Sequence, residues 1–272
     1  NTWYIKQLGG INTKIDSINE AIYWYTKAIE VDSMDIRSFT HLGSLFVKSE
    51  QYNEGLPILT TAIGRDSSNP LLFRFRGSLG IMAADFKAAE VDFKKAIELG
   101  DSIPFTFRHY GLCLFKQSKY KQAIPVYETT LVLDPEDSQA WYYLGFCYKW
   151  QEDVNMAIAC LDKSLQYAVS PSIADVYNGL GQMHGLQRSF EKAKHNYSRA
   201  YEWKQDDPVP LAQLGMLTEQ SGGKKEHAKT YYKAYLEKAN PIKNPGLINY
   251  VNNRMKIINE KLFMEGKLEK DE

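Results

Sequence analysis

The sequence predicts an all-α solenoid of about seven helix-turn-helix repeats, followed by a C-terminal capping helix. Two observations lead to this prediction. Glycines recur at a spacing of 34 residues over most of the chain, and small and large residues follow each glycine in the same phase. A fixed period of this length is typical of stacked repeats, because one such unit is too small to bury its apolar face alone.

The glycines define the period. Five successive glycines are 34 residues apart, the next follows after 36 residues, and the last follows after 34 again. A small residue stands twelve residues after each of the first six, a large apolar residue four further on, and a small residue three beyond that. We interpret each period as two helices that approach closely at their small residues. The glycines are Gly9, Gly43, Gly77, Gly111, Gly145, Gly181 and Gly215.

The repeat is clearest in residues 138–173. Its motif is Trp141-x2-Leu144-Gly145-x2-Tyr148, followed by Ala157-x3-Leu161. With this pattern the chain resembles the tetratricopeptide repeat (TPR) family over about residues 2–241. The resemblance implies a right-handed superhelix that serves as a scaffold for protein–protein interaction and has no catalytic activity.

The period also predicts the domain boundaries. We expect one TPR array over residues 1–241, and a capping helix with a disordered tail over residues 242–272. The capping helix is predicted because apolar residues from Leu247 to Leu262 recur at three- and four-residue steps. The seven repeats cover about residues 2–35, 36–69, 70–103, 104–137, 138–173, 174–207 and 208–241.

The first helix of the first repeat departs from the pattern. Gly9 and Gly10 lie in its middle, and Asn12 stands where other repeats have an apolar residue. Terminal repeats are often atypical, so we expect fraying here or a missing upstream neighbour. The sequence leaves homo-oligomer formation through this N-terminal unit open.

The third repeat departs most from the pattern. Arg76 stands where other repeats have leucine or tyrosine, and Gly80 stands where three others have a large side chain. An arginine at a core position must reach solvent or form an ion pair. Two interpretations stay open: a tolerated irregularity, or a bend or extra basic group turned toward a ligand.

The second helix of the seventh repeat fits the pattern in two registers, one residue apart. In one register the small, large and small positions are His227, Tyr231 and Ala234. In the other they are Ala228, Tyr232 and Tyr235.

Charge and composition disfavour several classes of protein. The chain has 33 basic and 33 acidic residues, so we predict no nucleic-acid partner, because such proteins are usually basic. No apolar run approaches the ~18 residues of a membrane span. We predict a soluble protein, and the sequence leaves its compartment open between the cytoplasm and the periplasm. Its start at Asn1 fits an exported protein whose leader has been removed, or a trimmed sequence.

No catalytic, cofactor-binding or metal-binding residue is predicted. The five histidines form no H-E-x-x-H pair, and the chain has neither a phosphate-binding loop nor a Gly-x-Ser-x-Gly elbow. Three cysteines, Cys113, Cys147 and Cys160, are an odd number and predict buried thiols instead of a disulfide framework. The sequence does not decide whether Cys147 and Cys160 pair.

A candidate binding face follows from the resemblance. In TPR proteins the fifth, ninth and twelfth residues of each repeat line a concave groove that binds peptides or partner helices. Arginine side chains match carboxylates, and aromatic side chains concentrate binding energy. The candidate peptide-binding residues are Arg74, Arg108, Phe115, Tyr142, Phe146, Lys149 and Asn178.

The hypothesis is a groove that holds a protein or peptide with an acidic group near Arg74 and Arg108 and apolar side chains near the three aromatic residues. The alternative is that neighbouring helices partly bury the aromatic rings while the arginines are only solvated. The fifth residues of the first six repeats do not match the family's two-carboxylate clamp; they are Lys6, Thr40, Arg74, Arg108, Tyr142 and Asn178.

The predicted function is therefore a non-catalytic interaction scaffold that uses the concave groove. A second hypothesis is a sensory or assembly domain of a larger protein whose active domain lies outside this chain. Neither the partner nor the pathway follows from the sequence.

Overall fold

The computed structural model describes residues 2–168 and 172–266, and all regular structure in these ranges is α-helical. The all-α prediction is confirmed. The helices are α1 (Thr2–Lys14), α2 (Ile18–Val31), α3 (Ile36–Lys48), α4 (Tyr52–Arg65), α5 (Pro70–Met82), α6 (Phe86–Glu98), α7 (Pro104–Lys116), α8 (Tyr120–Leu133), α9 (Ser138–Trp150), α10 (Val154–Tyr167), α11 (Ile173–Leu186), α12 (Phe190–Trp203), α13 (Val209–Gln220), α14 (Lys225–Lys238) and α15 (Pro245–Met264).

These helices belong to two compact units, one up to residue 147 and the other from residue 148 onward. In both units the helices pair in chain order, so that α1 packs with α2, α5 with α6, and α11 with α12. The second helix of a pair also packs against the first helix of the next pair, as α2 does with α3 and α12 with α13. Each unit is therefore a stack of helical hairpins.

The turn inside each hairpin has the same backbone conformation. One residue per turn adopts a positive φ between 57° and 64°, although none of these residues is glycine. They recur every 34 residues up to the fifth repeat and after 36 residues in the sixth; they are Asp16, Glu50, Ala84, Ser118, Glu152 and Arg188. In the seventh repeat the equivalent residue is Gly222, with φ 73°. The repeat is thus visible in the backbone as well as in the side chains.

Local signals set the beginnings of several helices. Pro70 and Pro104 are the first residues of α5 and α7. A backbone N–H at this position would have no acceptor within the helix, so proline costs no hydrogen bond there. The Asp85 carboxylate accepts a hydrogen bond from the backbone N–H of Ala88 (3.0 Å) and caps α6.

Paired helices approach closely because a glycine faces an aromatic ring. A Cβ atom placed on Gly111 would lie 2.8 Å from the ring of Tyr127, and one placed on Gly181 would lie 2.7 Å from the ring of Tyr197. Such distances are too short for carbon atoms in contact. Most of the periodic glycines therefore mark the positions where the first helix meets a ring of the second, whereas Gly43 meets Leu59 there.

Neighbouring hairpins bury the same two positions of each first helix. The third and tenth residues of the second to fifth repeats are at most 4% exposed. The third residues are Ser38, Leu72, Thr106 and Ala140, and the tenth residues are Leu45, Leu79, Cys113 and Cys147. In the first repeat the equivalent residues are Tyr4 and Ile11, which are 59% and 53% exposed. The difference shows how much of this burial each hairpin receives from the hairpin before it.

The first helix, for which we expect fraying or a missing upstream neighbour, is continuous from Thr2 to Lys14. Gly9 in its middle is buried against the ring of Tyr25. The Asn12 amide donates to the carbonyl oxygen of Leu8 (2.8 Å), so this polar residue bonds within its own helix.

The structure decides the register of α14. Ala228, Tyr232 and Tyr235 are fully buried, so the second of the two registers is correct. The turn before α14 contains Gly222 and Gly223, and α14 begins at Lys225, one residue later than the repeat spacing predicts from α12. This extra residue shifts every later position of the helix.

The C-terminal helix α15 packs against the last hairpin. Val251, Ile258 and Leu262 are buried in one cluster with side chains of α13 and α14. The Arg254 guanidinium donates two hydrogen bonds to the Glu219 carboxylate of α13, at 3.0 and 2.8 Å. The predicted disordered tail, residues 267–272, lies outside the described residues, and the predicted domain boundaries and the handedness of the solenoid stay predictions.

Two glycine substitutions test the close approach of paired helices. Gly181→Ala places a methyl group against the Tyr197 ring, and we expect it to lower the free energy of unfolding by ~1–3 kcal/mol. Gly64→Ala is the matched control, because no atom lies within 4 Å of its added Cβ; it should raise stability by about 0.5 kcal/mol. Urea denaturation followed by far-UV circular dichroism measures both. Equal effects of the two changes would contradict the packing described here.

Candidate functional site

The candidate residues lie on first helices of the hairpins. Arg74 lies on α5, Arg108 and Phe115 lie on α7, and Tyr142 and Phe146 lie on α9. All five are within the first compact unit and are half-buried. The remaining two candidates, Lys149 and Asn178, lie in the second unit and are described with it below.

Arg74 forms an ion pair with a buried aspartate. Its Nη1 atom lies 3.1 Å from Oδ2 and 3.3 Å from Oδ1 of Asp101, whose side chain is 4% exposed. The same carboxylate accepts a hydrogen bond from the Thr106 hydroxyl of α7 at 2.9 Å. The interaction therefore links α5 of one hairpin to the beginning of the next.

Arg108 repeats this arrangement one hairpin later. Its Nη1 atom donates to Oδ2 of Asp137 at 2.7 Å, and the Asp137 side chain is 2% exposed. The other carboxylate oxygen of Asp137 accepts from the backbone N–H of Ala140 at the beginning of α9. Nε of Arg108 is buried and has no hydrogen-bond partner among the described residues. This guanidinium is thus fixed by one carboxylate and still has a donor to offer.

The first repeat contains the same ion pair with a lysine. Lys6 Nζ lies 3.2 Å from the Asp35 carboxylate. Asp35 and Asp137 each follow their cation by 29 residues, a spacing that could have been read from the sequence. Neither interpretation of the arginines in the sequence considered such ion pairs. An acidic ligand at Arg74 or Arg108 has to compete with a carboxylate that is already in place.

The aromatic candidates pack against one another or against neighbouring rings. The rings of Tyr142 and Phe146 are 4.9 Å apart, and the Phe115 ring lies 5.2 Å from Tyr143. Tyr143, which the sequence analysis did not select, also contacts Tyr142 and stacks on the buried Tyr127 at 6.0 Å. Each candidate ring is therefore held in place by neighbouring rings on one side, and the other part of its surface is exposed to solvent.

In the second unit Lys149 lines a cavity of about 240 Å³ that the sequence did not reveal. Its Nζ atom donates to the Gln182 side-chain oxygen at 3.3 Å, and burial lowers the pKa of Lys149. The cavity combines amide side chains with apolar ones; the other residues that line it include Gln213, Gln220, Met216 and Leu186. Gln213 and Gln220 fall outside the fifth, ninth and twelfth positions, which is why the repeat pattern missed them.

Asn178 is half-buried on α11, outside the lining of this cavity. Its side-chain oxygen is buried and has no hydrogen-bond partner among the described residues. A donor from a ligand would satisfy this oxygen, since unpaired buried polar atoms are costly.

Side chains that could bind a metal ion or act as nucleophiles are dispersed or buried. Within residues 2–168 and 172–266, no cluster of three or more His, Cys, Asp or Glu side chains could hold a metal ion. The cysteines are buried thiols, and burial raises the pKa of Cys113 to about 12, which makes it a poor nucleophile at neutral pH. None of the described helices combines the length and apolar character that a membrane crossing requires.

His109 is the histidine most affected by burial. Its ring lies 3.9 Å from Phe105 and 5.8 Å from Phe93, and its Nδ1 atom is 2.7 Å from the Phe105 carbonyl oxygen. Burial lowers the pKa of His109 to about 4. The imidazole is therefore neutral at physiological pH and serves packing.

Comparison with known proteins agrees with the helical repeats. Models of the tetratricopeptide repeat match residues 136–206 and residues 111–148. No curated protein matches the chain.

Solved structures provide further similarity. YrrB, described as a TPR protein with an unusual peptide-binding site, is 22% identical, covers 69% of this chain and 95% of its own, and superposes with a TM-score of 0.60. A tetratricopeptide repeat protein from Parabacteroides merdae is 13% identical and covers 94% of this chain and 98% of its own, with a TM-score of 0.65. PilF of Pseudomonas aeruginosa is 16% identical and covers 81% and 97%, with a TM-score of 0.64. Similarities at these identities concern the fold alone.

The burial of His109 predicts a pH dependence of stability. The folded-state pKa of about 4 lies below the ordinary 6.5, so the unfolded chain binds more protons between these values. The stability from the neutral ring is therefore complete above pH 6.5 and is lost as the pH falls toward 4, by about 3 kcal/mol in all.

His109→Phe removes this titration and keeps an aromatic ring beside Phe105. We expect urea denaturation between pH 7 and pH 4.5 to show a smaller loss of stability in the variant than in the unchanged protein. The same loss in both proteins would show that His109 does not titrate as its burial requires.

Proposed function

Since the chain is a tetratricopeptide repeat protein, we propose that it holds a segment of a partner protein on the face formed by the first helices of its repeats. The observation that supports this most is the group of half-buried rings at Phe115, Tyr142 and Phe146. Rings that are partly exposed but fixed by their neighbours lose little entropy on binding, and aromatic residues concentrate binding energy at interfaces. The peptide-binding site named for YrrB, which has a similar fold, agrees with this role.

The proposed segment combines an apolar and an acidic part. Its apolar side chains would contact the three rings, and an acidic group would lie near Arg74 and Arg108. The Arg108 side chain supports the acidic group, because it is 25% exposed and its bond to Asp137 is made by Nη1 alone. Asp101 and Asp137 already neutralise these arginines, so we expect the acidic group to contribute less than the rings.

In the second unit, Lys149 and Asn178 would contribute a binding surface of that unit alone. The amide side chains beside Lys149 can donate to or accept from a peptide backbone, and Met216 and Leu186 supply apolar surface. The role is that of a scaffold, in which specificity comes from the order of apolar, acidic and amide-binding positions.

Removal of the rings tests the proposal. Tyr142→Ser/Phe146→Ser should reduce the recovery of specific partners from a native lysate by roughly tenfold or more, because two aromatic contacts are lost. The matched control is Tyr23→Ser, which removes a 54% exposed ring from the second helix α2. Quantitative mass spectrometry compares the three baits after their thermal melts have been matched.

Partners retained by the intact chain and by Tyr23→Ser, but lost from the double variant, would support the proposed face. An unchanged set of partners on all three baits would contradict it. For a recovered partner, replacing the acidic residues of its bound segment by alanine should weaken binding by severalfold, and less than loss of the rings does.

A second proposal concerns association between copies of this chain through the first repeat. Tyr4 and Ile11 are more than half exposed, at two positions that a neighbouring hairpin buries in later repeats. The same helix also exposes Trp3. Since tryptophan and tyrosine are enriched among residues that dominate interfaces, this face is suited to a second copy.

Sedimentation equilibrium tests this association. We expect the intact chain to form dimers at tens of micromolar and Tyr4→Lys/Ile11→Lys to be monomeric, because a buried lysine ammonium is costly. Ile242→Lys is the control, since Ile242 is 90% exposed in the segment before α15. A monomeric intact chain at several hundred micromolar would refute the proposal.

A further inference from the structure

Three departures from the repeat pattern occur together in the third repeat. Arg76 and Gly80 lie on α5 and Asp92 lies on α6. Leucine or tyrosine stands at the position of Arg76 in the other repeats, and large side chains stand at that of Gly80 in three of them. At the position of Asp92, the second, fourth and fifth repeats have Ile58, Val126 and Cys160.

Arg76 and Asp92 form a two-bond ion pair. Arg76 Nε donates to Asp92 Oδ2 at 2.8 Å, and Nη2 donates to Oδ1 at 2.6 Å. Nη1 also lies 3.3 Å from the Thr60 hydroxyl of α4. This pair confirms the prediction that an arginine here must reach solvent or form an ion pair. The Asp92 side chain is only 6% exposed, so the pair is largely buried.

Stability alone does not account for this pair. Apolar side chains of similar volume at the two positions would be at least as stabilising, because burial of two charges has a large desolvation penalty. The second, fourth and fifth repeats have uncharged pairs at these positions, for example Leu42 with Ile58. Local departures of this kind are expected at functional sites.

The three residues line one cavity of about 410 Å³. It lies between the second helices α4 and α6, with Leu56 on one side and Ala88 and Val91 on the other. At the position of Gly80, the second and fourth repeats have Phe46 and Leu114, which are buried. Gly80 is itself buried, and a Cβ atom on it would lie 3.2 Å from the Cβ of Ala89. The space open to another molecule is therefore the cavity beside Gly80, between Leu56 and Val91.

The charge of the lining favours a cation. Arg76 is its one basic residue, whereas Asp85 and Asp92 are both acidic, so the lining has a net charge of −1. Asp85 caps the N-terminus of α6 and Asp92 lies seven residues further on, which places them about 10 Å apart along the helix axis. Apolar side chains line the space that separates them.

We propose that this cavity binds a lysine or arginine side chain of a partner protein. The aliphatic part lies over Gly80 against Leu56 and Val91, and the charged group reaches Asp85 at the rim, as long cationic side chains do on apolar surfaces. The hydrogen bonds of Arg76 to Asp92 and Thr60 use three of its five N–H donors, so the other two can bind a backbone carbonyl of the same partner. This inference is independent of the proposed function, because none of the residues that line this cavity belongs to the proposed binding face.

Three blocked tripeptides test the chemistry of the site. They are N-acetyl-Ala-Xaa-Ala-amide with lysine, norleucine or glutamate at Xaa. All three side chains have an aliphatic part, but their charges at neutral pH are positive, zero and negative. Titrations of the full chain are followed by NMR of the Leu56 and Val91 methyl groups. We expect saturable shifts with the lysine peptide, affinity at least threefold weaker for norleucine, and no saturable shift for glutamate. Equal or tighter binding of the norleucine peptide would overturn the proposal.

Two variants and a control locate the binding. Gly80→Leu should weaken binding of the lysine peptide at least tenfold by filling the cavity, and Leu114 opposite Ala123 in the fourth repeat indicates that the fold accepts leucine here. Gly64→Leu, with no atom within 4 Å of its added Cβ, should bind as the intact chain does. Asp85→Asn keeps a good helix cap and removes the charge, so it should reduce lysine affinity to that of norleucine. Unchanged affinity in Asp85→Asn would overturn the proposal even if Gly80→Leu failed to fold.

Discussion

Each hairpin of this protein depends on a neighbour to bury one face of its first helix. The positions of Leu45 and Leu79 are almost fully buried where another hairpin precedes them, and the same position, Ile11, is more than half exposed in the first repeat. A helix pair has too few apolar side chains to close this face itself, so the stability of a repeat is largely that of its interfaces. This constraint explains why the inner repeats bury this face of their first helices and why the first repeat leaves it exposed.

Much of the fold could be predicted from the sequence because the close contacts repeat with it. A glycine such as Gly181 and a ring such as Tyr197 indicate one helix pair each, and their spacing predicts where the pairs lie. The register of α14 could not be chosen, since a one-residue extension of its turn moves Tyr232 into the place of Tyr231 without a change in composition. The polar Asn12 does not interrupt α1, because its amide donates to the Leu8 carbonyl oxygen of the same helix, which the repeat pattern could not show.

The candidate site was less predictable than the fold. The sequence identified Arg108 as a cation on a first helix, but its role depends on Asp137, which lies 29 residues away and is brought close only by the stacking of hairpins. The rings were found because they follow the period, whereas Gln213 and Gln220 beside Lys149 do not. Ion pairs from first helices to the next repeat thus hold the hairpins in register and reduce the positive charge offered to a ligand. The first-helix face is therefore more apolar than its sequence suggests.

Amide hydrogen exchange, measured at low micromolar concentration, tests most directly whether neighbouring hairpins provide this stability. The account predicts that amides in the middle of α3 and α5, whose helices are covered on both sides, exchange with opening free energies several kcal/mol above those of α1. Protection in α1 equal to that in α3 and α5 would show that a hairpin is stable without a preceding neighbour, and would contradict the account.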